Sequence, residues 1–450
     1  MDFISLLRGI IGIVIILGIA FLISNNKKKI NWRLVATGLA LQIVFAIFII
    51  KGDELGSFFA PLAYPKDLFK FFSSFFVLIL DFTEEGSRFV FGPLALGPGS
   101  DGSFGVIFAF QVLPTIIFFA SLMGLLYYLG IMQRIVQGMA WIMSRIMGTS
   151  GAESLSVTAN IFVGQTEAPL MIRPYLKGLS NSELLTIMTG GMATIAGGVM
   201  AAYIKMLGVA FAESMQISIS EAELLFATHL LGASVMAAPA ALIISKIMFP
   251  ETSEPETKGS VKVSVEKNAS NAIEATAIGA ADGLKLALNV AAMLIAFIAL
   301  IAMSNYILEA IGSVTGLNAV ILKHYDQPFN LQFIFGFVLQ FLAYGIGVPW
   351  ESSLEFGRLI GTKVVLNEFV AYLDMSNLIK FKELVNEKAI LMATYALCGF
   401  ANFSSIAIQI GGISPLAPNK RTDLARLGVR AVIGGTLATL LTATLAGILF

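Results

Sequence analysis

Charge is scarce in this chain. Of its 450 residues only 13% are charged, against about a quarter in an ordinary soluble domain, while 57% are hydrophobic. A soluble protein of that composition would need several domains with apolar surfaces, so the chain reads as a membrane protein. Cysteine is nearly absent, and the lone Cys398 excludes an intrachain disulfide framework. Histidine is equally rare, and His229 and His324 are too far apart for a helical zinc motif such as HExxH. The 29 basic and 29 acidic residues cancel, which removes any bulk attraction to nucleic acid. GxSxG and Walker loops are missing too, and no histidine neighbours the carboxylates singled out below, which argues against an enzyme.

What the sequence has in abundance is apolar length. Runs of about 20 apolar residues, enough to cross the hydrocarbon core as a helix, lie near 4–23, 33–51, 105–129, 226–248, 285–311 and 426–449. Two further runs, 183–211 and 388–413, are interrupted by "TGGMATIAGG" and "CGFANFSS". Segments 69–82, 131–147 and 329–344 are shorter or amphipathic and are expected to lie along the interface or flank longer helices. The first run is followed by Lys27, Lys28 and Lys29 instead of a small-residue cleavage site, so it reads as a retained helix. Basic residues also cluster at Arg134 and Arg145, at Arg173 and Lys177, from Lys246 to Lys267, and at Lys420, Arg421, Arg426 and Arg430. Placing these clusters in the cytoplasm gives eight alternating spans with both termini outside. The polar linker 250–274 then falls in the cytoplasm as a solvated loop without assigned chemistry.

Two stretches fit neither a span nor a loop. Residues 150–179 and 349–378 each run for about 30 residues with a polar break near the middle, so each half reaches only part-way across the membrane at about 1.5 Å per residue. They read as re-entrant helical hairpins entering from opposite sides, each followed by an interrupted helix, which is the sequence form of an inverted repeat. Irregular backbone at membrane depth is tolerated only against protein or a water-filled cavity, and a carboxylate there marks a functional site. Glu167, between Gly164 and Pro169, is such a carboxylate; its structural alternative is a cap on the second half-helix or a pair with a buried basic residue. The second hairpin offers Asn367 and Glu368. The broken helices add Thr194, then Phe400, Asn402, Ser404 and Ser405. Carboxylates, amides and a ring describe a pocket for a neutral, hydroxyl-rich, partly aromatic solute, and backbone carbonyls at the breaks suit a monovalent cation with Asn160 and Thr194 beside them. Glu351 and Arg358 are expected to pair or cap the second hairpin, Asp374 to be solvated, and Trp32 and Trp350 to anchor at the interface.

The motifs "VGQTEAPL", "GTKVVLNEFVAY" and "CGFANFSSI" resemble the signatures of the concentrative nucleoside transporter family, and the organisation matches along nearly the whole chain. The resemblance implies an all-α membrane protein of eight transmembrane helices plus the two opposed hairpins, an inverted repeat working as an elevator, assembled as a homotrimer. It implies a base held by Gln165, Thr166 and Val199, a ribose held by Glu368, Asn402 and Ser405, Phe400 lining the pocket, and Glu167 reaching the ligand through water. It implies sodium at Asn160, Val163, Thr194 and Ile195, with Val163 and Ile195 acting through their carbonyls and Thr194 standing where serine is commoner. The expected division is 1–100, scaffold helices and an interfacial segment; 101–148, the third span and its flank; 149–212, first hairpin and broken helix; 213–345, scaffold; 346–415, second hairpin and broken helix; and 416–450, the last span. The expected activity is sodium-coupled uptake of nucleosides, pyrimidines such as uridine favoured, across a bacterial inner membrane, with both termini periplasmic and no organic cofactor. Proton coupling is the alternative; an intramembrane enzyme would lack a nucleophile or metal beside Glu167 and Glu368, and a passive channel would fit the two opposed hairpins poorly.

Overall fold

A computed structural model describes residues 3–97, 102–105, 107–257, 269–325 and 327–450. The expected boundary at 100/101 and the middle of the polar linker lie outside the described residues. Among those described, every regular element is helical. In chain order the α-helices are α1 (Phe3–Leu22), α2 (Trp32–Phe58), α3 (Tyr64–Phe91), α4 (Phe108–Gln111), α5 (Leu113–Tyr128), α6 (Ile131–Met147), α7 (Gly151–Ala159), α8 (Asn181–Ala193), α9 (Gly197–Met215) and α10 (Ile219–Met248). They continue as α11 (Ala272–Thr315), α12 (Leu317–Tyr325), α13 (Leu331–Gly345), α14 (Ser353–Val365), α15 (Glu368–Lys380), α16 (Glu387–Leu397), α17 (Phe403–Ile413) and α18 (Arg421–Leu449).

Seven stretches among the described residues are long and apolar enough to cross a membrane, counting α4 with α5 as one and α8 with α9 as one. The other interrupted run consists of α16 and α17, 11 residues each, separated by 398–402. Segment 69–82 belongs to a helix of 28 residues, longer than its apolar stretch because Asp67, Glu84, Glu85 and Arg88 lie within it. At 44 residues α11 is about 66 Å long, well beyond a bilayer core. Its Ile295, Tyr306 and Val314 are exposed.

The core is centred on α10, which is buried throughout its apolar stretch and packs against α2, α3, α8, α9 and α18. Around it the order of elements repeats. After α6 come α7, a 3-10 segment Ala168–Gly178, the broken helix α8–α9 and then α10; after α13 come α14, α15, the broken helix α16–α17 and then α18. Within each set the paired arms touch, α7 against the 3-10 segment and α14 against α15.

Capping explains where these short helices start. Ser150 and Ser180 each form a capping box with the glutamate three residues on, Glu153 and Glu183. A network joins the two boxes: Ser150 Oγ donates to Glu183 at 2.6 Å, and the buried Lys246 ammonium lies 2.7 Å from Glu153 and donates to Ser182 at 2.9 Å. Lys246, grouped above with the loop cations, is therefore a buried structural ammonium at the end of α10.

The start of the polar linker also departs from the solvated loop expected of it. Ser180 Oγ donates to Glu251 at 2.6 Å, while Gly151 N and Ala152 N donate to the carbonyl and the hydroxyl of Thr257. These contacts supply acceptors for the first amides of α7, which no helix can satisfy internally. Burial pushes the Glu251 carboxyl up, but the Ser180 hydroxyl and the Lys246 ammonium outweigh it and hold it below the usual carboxylate range. Asp374 likewise differs from its expectation of solvation. Arg358 donates to it through both Nε (2.8 Å) and Nη2 (2.5 Å), clamping α14 to α15, so Arg358 pairs between these two helices instead of with Glu351. Trp32 and Trp350 are exposed, as interface anchors would be.

Candidate substrate and cation site

Local sequence dictates where the helices break. Thr194 is extended (φ −123°, ψ 165°) and Ala196 also non-helical, which ends α8 and restarts the chain as α9. Asn402 does the same for α17, its side chain accepting from Ser405 N at 2.9 Å. Asn367 caps α15 by accepting from Val370 N at 2.9 Å, so Glu368 becomes the first residue of that helix. A carboxylate in the first turn faces the positive end of the helix dipole and its unpaired amides.

The two breaks meet. Phe400 N donates to Thr194 O at 3.3 Å, and a Cβ on Gly399 would lie 2.7 Å from Met192 O. Only glycine permits that approach of backbones. On the other side, Gly197 N donates to Phe162 O at 3.1 Å and ties the start of α9 to the stretch that follows α7.

Along this crossing the side chains form one hydrogen-bonded chain. Gln165 Nε2 donates to Ser405 Oγ at 3.1 Å, Ser405 N is capped by Asn402, and Asn402 Nδ2 donates to Glu368 Oε2 at 3.0 Å. All four residues are buried. Thr166 sits at the same end, its methyl 2.7 Å from where a Cβ on Gly412 would be. Val199 is buried in the first turn of α9 and Phe400 is half-buried at the second break.

Three members of the site were given no role in the sequence, although Lys363 opens the polar break of the second stretch. Tyr203 donates from its hydroxyl to Glu368 Oε1 at 3.1 Å. Gln409 Nε2 donates to Gln165 Oε1 at 2.9 Å and to Met188 O at 3.0 Å, which fixes the Gln165 amide from behind. Lys363, fully buried in the last turn of α14, donates to Ala396 O at 2.8 Å and Thr439 Oγ1 at 3.0 Å, satisfying a carbonyl in the last turn of α16. Lys363 and Gln409 lay inside or beside the quoted motifs, and their polarity inside apolar helices was the available signal.

Glu167 stands apart from that chain. It is exposed, makes no capping bond to the 3-10 segment, and lines a cavity of about 420 Å³ between residues 162–173 and helices α5 and α11, with Phe119, Tyr127 and Asp282. Its carboxylate folds over Gly164, where a Cβ would lie 2.3 Å from Oε2.

The four cation candidates are all buried, Thr194 and Ile195 at the first break and Asn160 and Val163 in the stretch whose Phe162 O accepts from Gly197 N. Asn160 Nδ2 donates to Ser156 O at 2.9 Å, which leaves Oδ1 as a buried oxygen without a hydrogen-bond partner. Thr194 spends its proton on Gly190 O at 2.9 Å and keeps its lone pairs. Oxygens so left suit a hard monovalent cation.

An all-helical membrane architecture with a buried polar site at two helix breaks defines a carrier of polar solutes. Family comparison makes this specific. The profile of the Na+ dependent nucleoside transporter N-terminus matches residues 11–94, the nucleoside recognition (Gate) profile 109–210, and the Na+ dependent nucleoside transporter C-terminus 229–447. An uncharacterized transporter of Bacillus subtilis, YutK, is 43% identical over 98% of this chain and 99% of its own. Sodium/nucleoside cotransporter 1 of Rattus norvegicus is 40% identical over 98% of this chain, which spans 63% of that longer protein. The solved structure of CNTnw in an inward-facing substrate-bound state superposes with a TM-score of 0.84 at 37% identity, covering 98% of both chains. A doubly substituted CNTnw in an outward-facing state gives 0.85 at 36% identity, covering 100% of this chain and 98% of the other. The chain belongs to the concentrative, Na+-dependent nucleoside transporter family, whose members are transporters and not enzymes.

Proposed function

We propose that this protein is a sodium-coupled nucleoside symporter that takes nucleosides such as uridine into the cell. The observation that carries the reading is the continuous chain from Gln165 through Ser405 and Asn402 to Glu368, in which the second helix break joins an amide after α7 to the carboxylate that opens α15. The amide of Gln165 with Thr166 and Val199 pairs and covers the base edge. The Glu368 carboxylate, with Asn402 and Ser405, accepts from sugar hydroxyls, and Phe400 covers the apolar face. Glu167 acts through water from the cavity beside the first hairpin.

Sodium is co-transported, held by the oxygens of Asn160 and Thr194 and the carbonyls of Val163 and Ile195. Because the two breaks are hydrogen-bonded to each other at Phe400 and Thr194, ordering one by the cation orders the other for the nucleoside. That coupling makes the carrier a symporter: each solute binds best when the other is present. One sodium ion moving down 100 mV contributes about 2.3 kcal/mol, enough for tens-fold accumulation.

The repeated order of elements fits eight spans and two re-entrant hairpins of opposite sense. Residues 149–212 and 346–415 then form a transport domain that moves elevator-fashion against the rest. Assembly is as a homotrimer in the bacterial inner membrane, with both termini periplasmic. Proton coupling remains the rival, with Glu167 as its titrating group, and the unpartnered Asn160 oxygen favours sodium over it. Uridine uptake into proteoliposomes at constant pH decides between them. Uphill uptake with an inward sodium gradient, abolished by choline, supports the reading; uptake driven by a pH step and indifferent to sodium overturns it.

A further inference from the structure

We propose that Tyr203 is a positioning residue for the sugar-binding carboxylate, and that its hydroxyl sets the preference of the carrier for an intact ribose cis-diol. The proposal rests on the reading of Glu368 as the ribose contact.

Tyr203 lies on α9, in the first set of elements, whereas Glu368 opens α15 in the second. The tyrosine is fully buried, so its hydroxyl has no water to turn to, and a buried hydroxyl without a partner is costly. Its partner is Glu368 Oε1, 3.1 Å away. Asn402 Nδ2 occupies Oε2 at 3.0 Å. Each carboxylate oxygen thus receives one neutral donor from the protein, and the donors come from different broken helices. Two donors, one per oxygen, fix the plane of the carboxylate about its last torsion, which is otherwise broad. A carboxylate has about four lone-pair sites, so each oxygen keeps one for a ligand hydroxyl. A fixed plane with one free site per oxygen matches two adjacent hydroxyls on a ring, which is the arrangement of the 2′ and 3′ positions of ribose.

The surroundings hold the phenol in place. Its ring packs against Tyr372 at 4.3 Å and edge-on to Phe369 at 5.1 Å, both on the helix that Glu368 begins. Tyr372 in turn donates to Thr394 O at 2.8 Å. A phenylalanine would fill the same space against these rings, so packing alone gives no reason for the hydroxyl.

The test is Tyr203→Phe in proteoliposomes, with KM and Vmax measured for uridine and for 3′-deoxyuridine. The wild type prefers uridine. In the variant the uridine KM rises about tenfold, the scale of losing one hydrogen bond to a charged group, while that of 3′-deoxyuridine rises much less and Vmax stays within about twofold. Equal shifts for both substrates, an unchanged uridine KM, or an effect on Vmax alone would reduce Tyr203 to a packing residue and overturn the proposal. Should Tyr203→Phe fold poorly, 4-aminophenylalanine at position 203 keeps a donor and preserves the preference, whereas 4-methylphenylalanine fills the volume and loses it; the reverse overturns the proposal. A wild type that takes up no uridine refutes the nucleoside reading itself, and one that takes up uridine without preferring it to 3′-deoxyuridine refutes the ribose role of Glu368.

Discussion

Gly399→Ala tests whether the crossing of the two helix breaks links cation and nucleoside. The added methyl would sit 2.7 Å from Met192 O, 2.9 Å from Ala193 C and 2.9 Å from the Thr439 methyl. Two of those neighbours are backbone, so no side-chain rotation relieves the overlap, and α16–α17 must move away from α8–α9. Overpacking of this kind costs about 1–3 kcal/mol. The bond from Phe400 N to Thr194 O, already 3.3 Å long, is the first to open, and with it goes the alignment proposed for Thr194 toward sodium and for Asn402 toward the nucleoside. The expected result is a sodium half-saturation and a uridine KM that both rise, by roughly five- to a hundredfold for that energy, together with a lower melting temperature in detergent. Gly411→Ala is the control: it lies in α17 with open space around it, so it should be neutral or gain up to about 1 kcal/mol from helix propensity. Parallel sodium titrations of uridine uptake in both variants provide the assay. A Gly399→Ala protein with unchanged sodium dependence would show that the breaks do not communicate through this contact.

Other perturbations follow the same geometry. Thr194→Val removes the hydroxyl that bonds Gly190 O and should raise the sodium half-saturation at least about tenfold, whereas Thr194→Ser should leave it nearly unchanged; uptake at varied sodium reads both. Lys363→Met strands Ala396 O in a fully buried place, while Thr439 Oγ1 keeps its bond to Thr436 O, and should lower stability by about 1–3 kcal/mol, visible as a drop in melting temperature. Glu251 has a carboxyl held below the ordinary value of 4.5, so its contribution to stability is present above that pH and is lost as pH falls through the lower folded value. A melting-temperature profile through that acid range should be flatter in Glu251→Gln than in the wild type.

The sequence made the breaks legible because glycine, threonine and asparagine inside apolar runs are expensive unless the helix stops there. Thr194 and Asn402 fall where the helices end and begin. The lengths of α3 and α11 were not legible, since charged residues within them cut the apolar count while the backbone continues helical. Asp374 and Lys246 were misplaced for one reason: a lone charge reads as solvated until the fold brings its partner, here Arg358 from another arm and Glu153 from another helix. Tyr203 and Gln409 escaped notice because they sit one or two turns from the breaks, and only the crossing of the two sets places them behind Glu368 and Gln165.

The central claim is that the surface built by Gln165, Ser405, Asn402 and Glu368 binds a nucleoside only when sodium is held at the first break. Titration calorimetry of uridine into the purified protein, in sodium and in choline buffers at one pH, tests it without any need for transport. Saturable binding in sodium that weakens strongly in choline, and that is lost in Glu368→Ala while the variant keeps its melting temperature, is the expected result. Equal binding of uridine in both buffers, or binding that survives Glu368→Ala, would contradict the account.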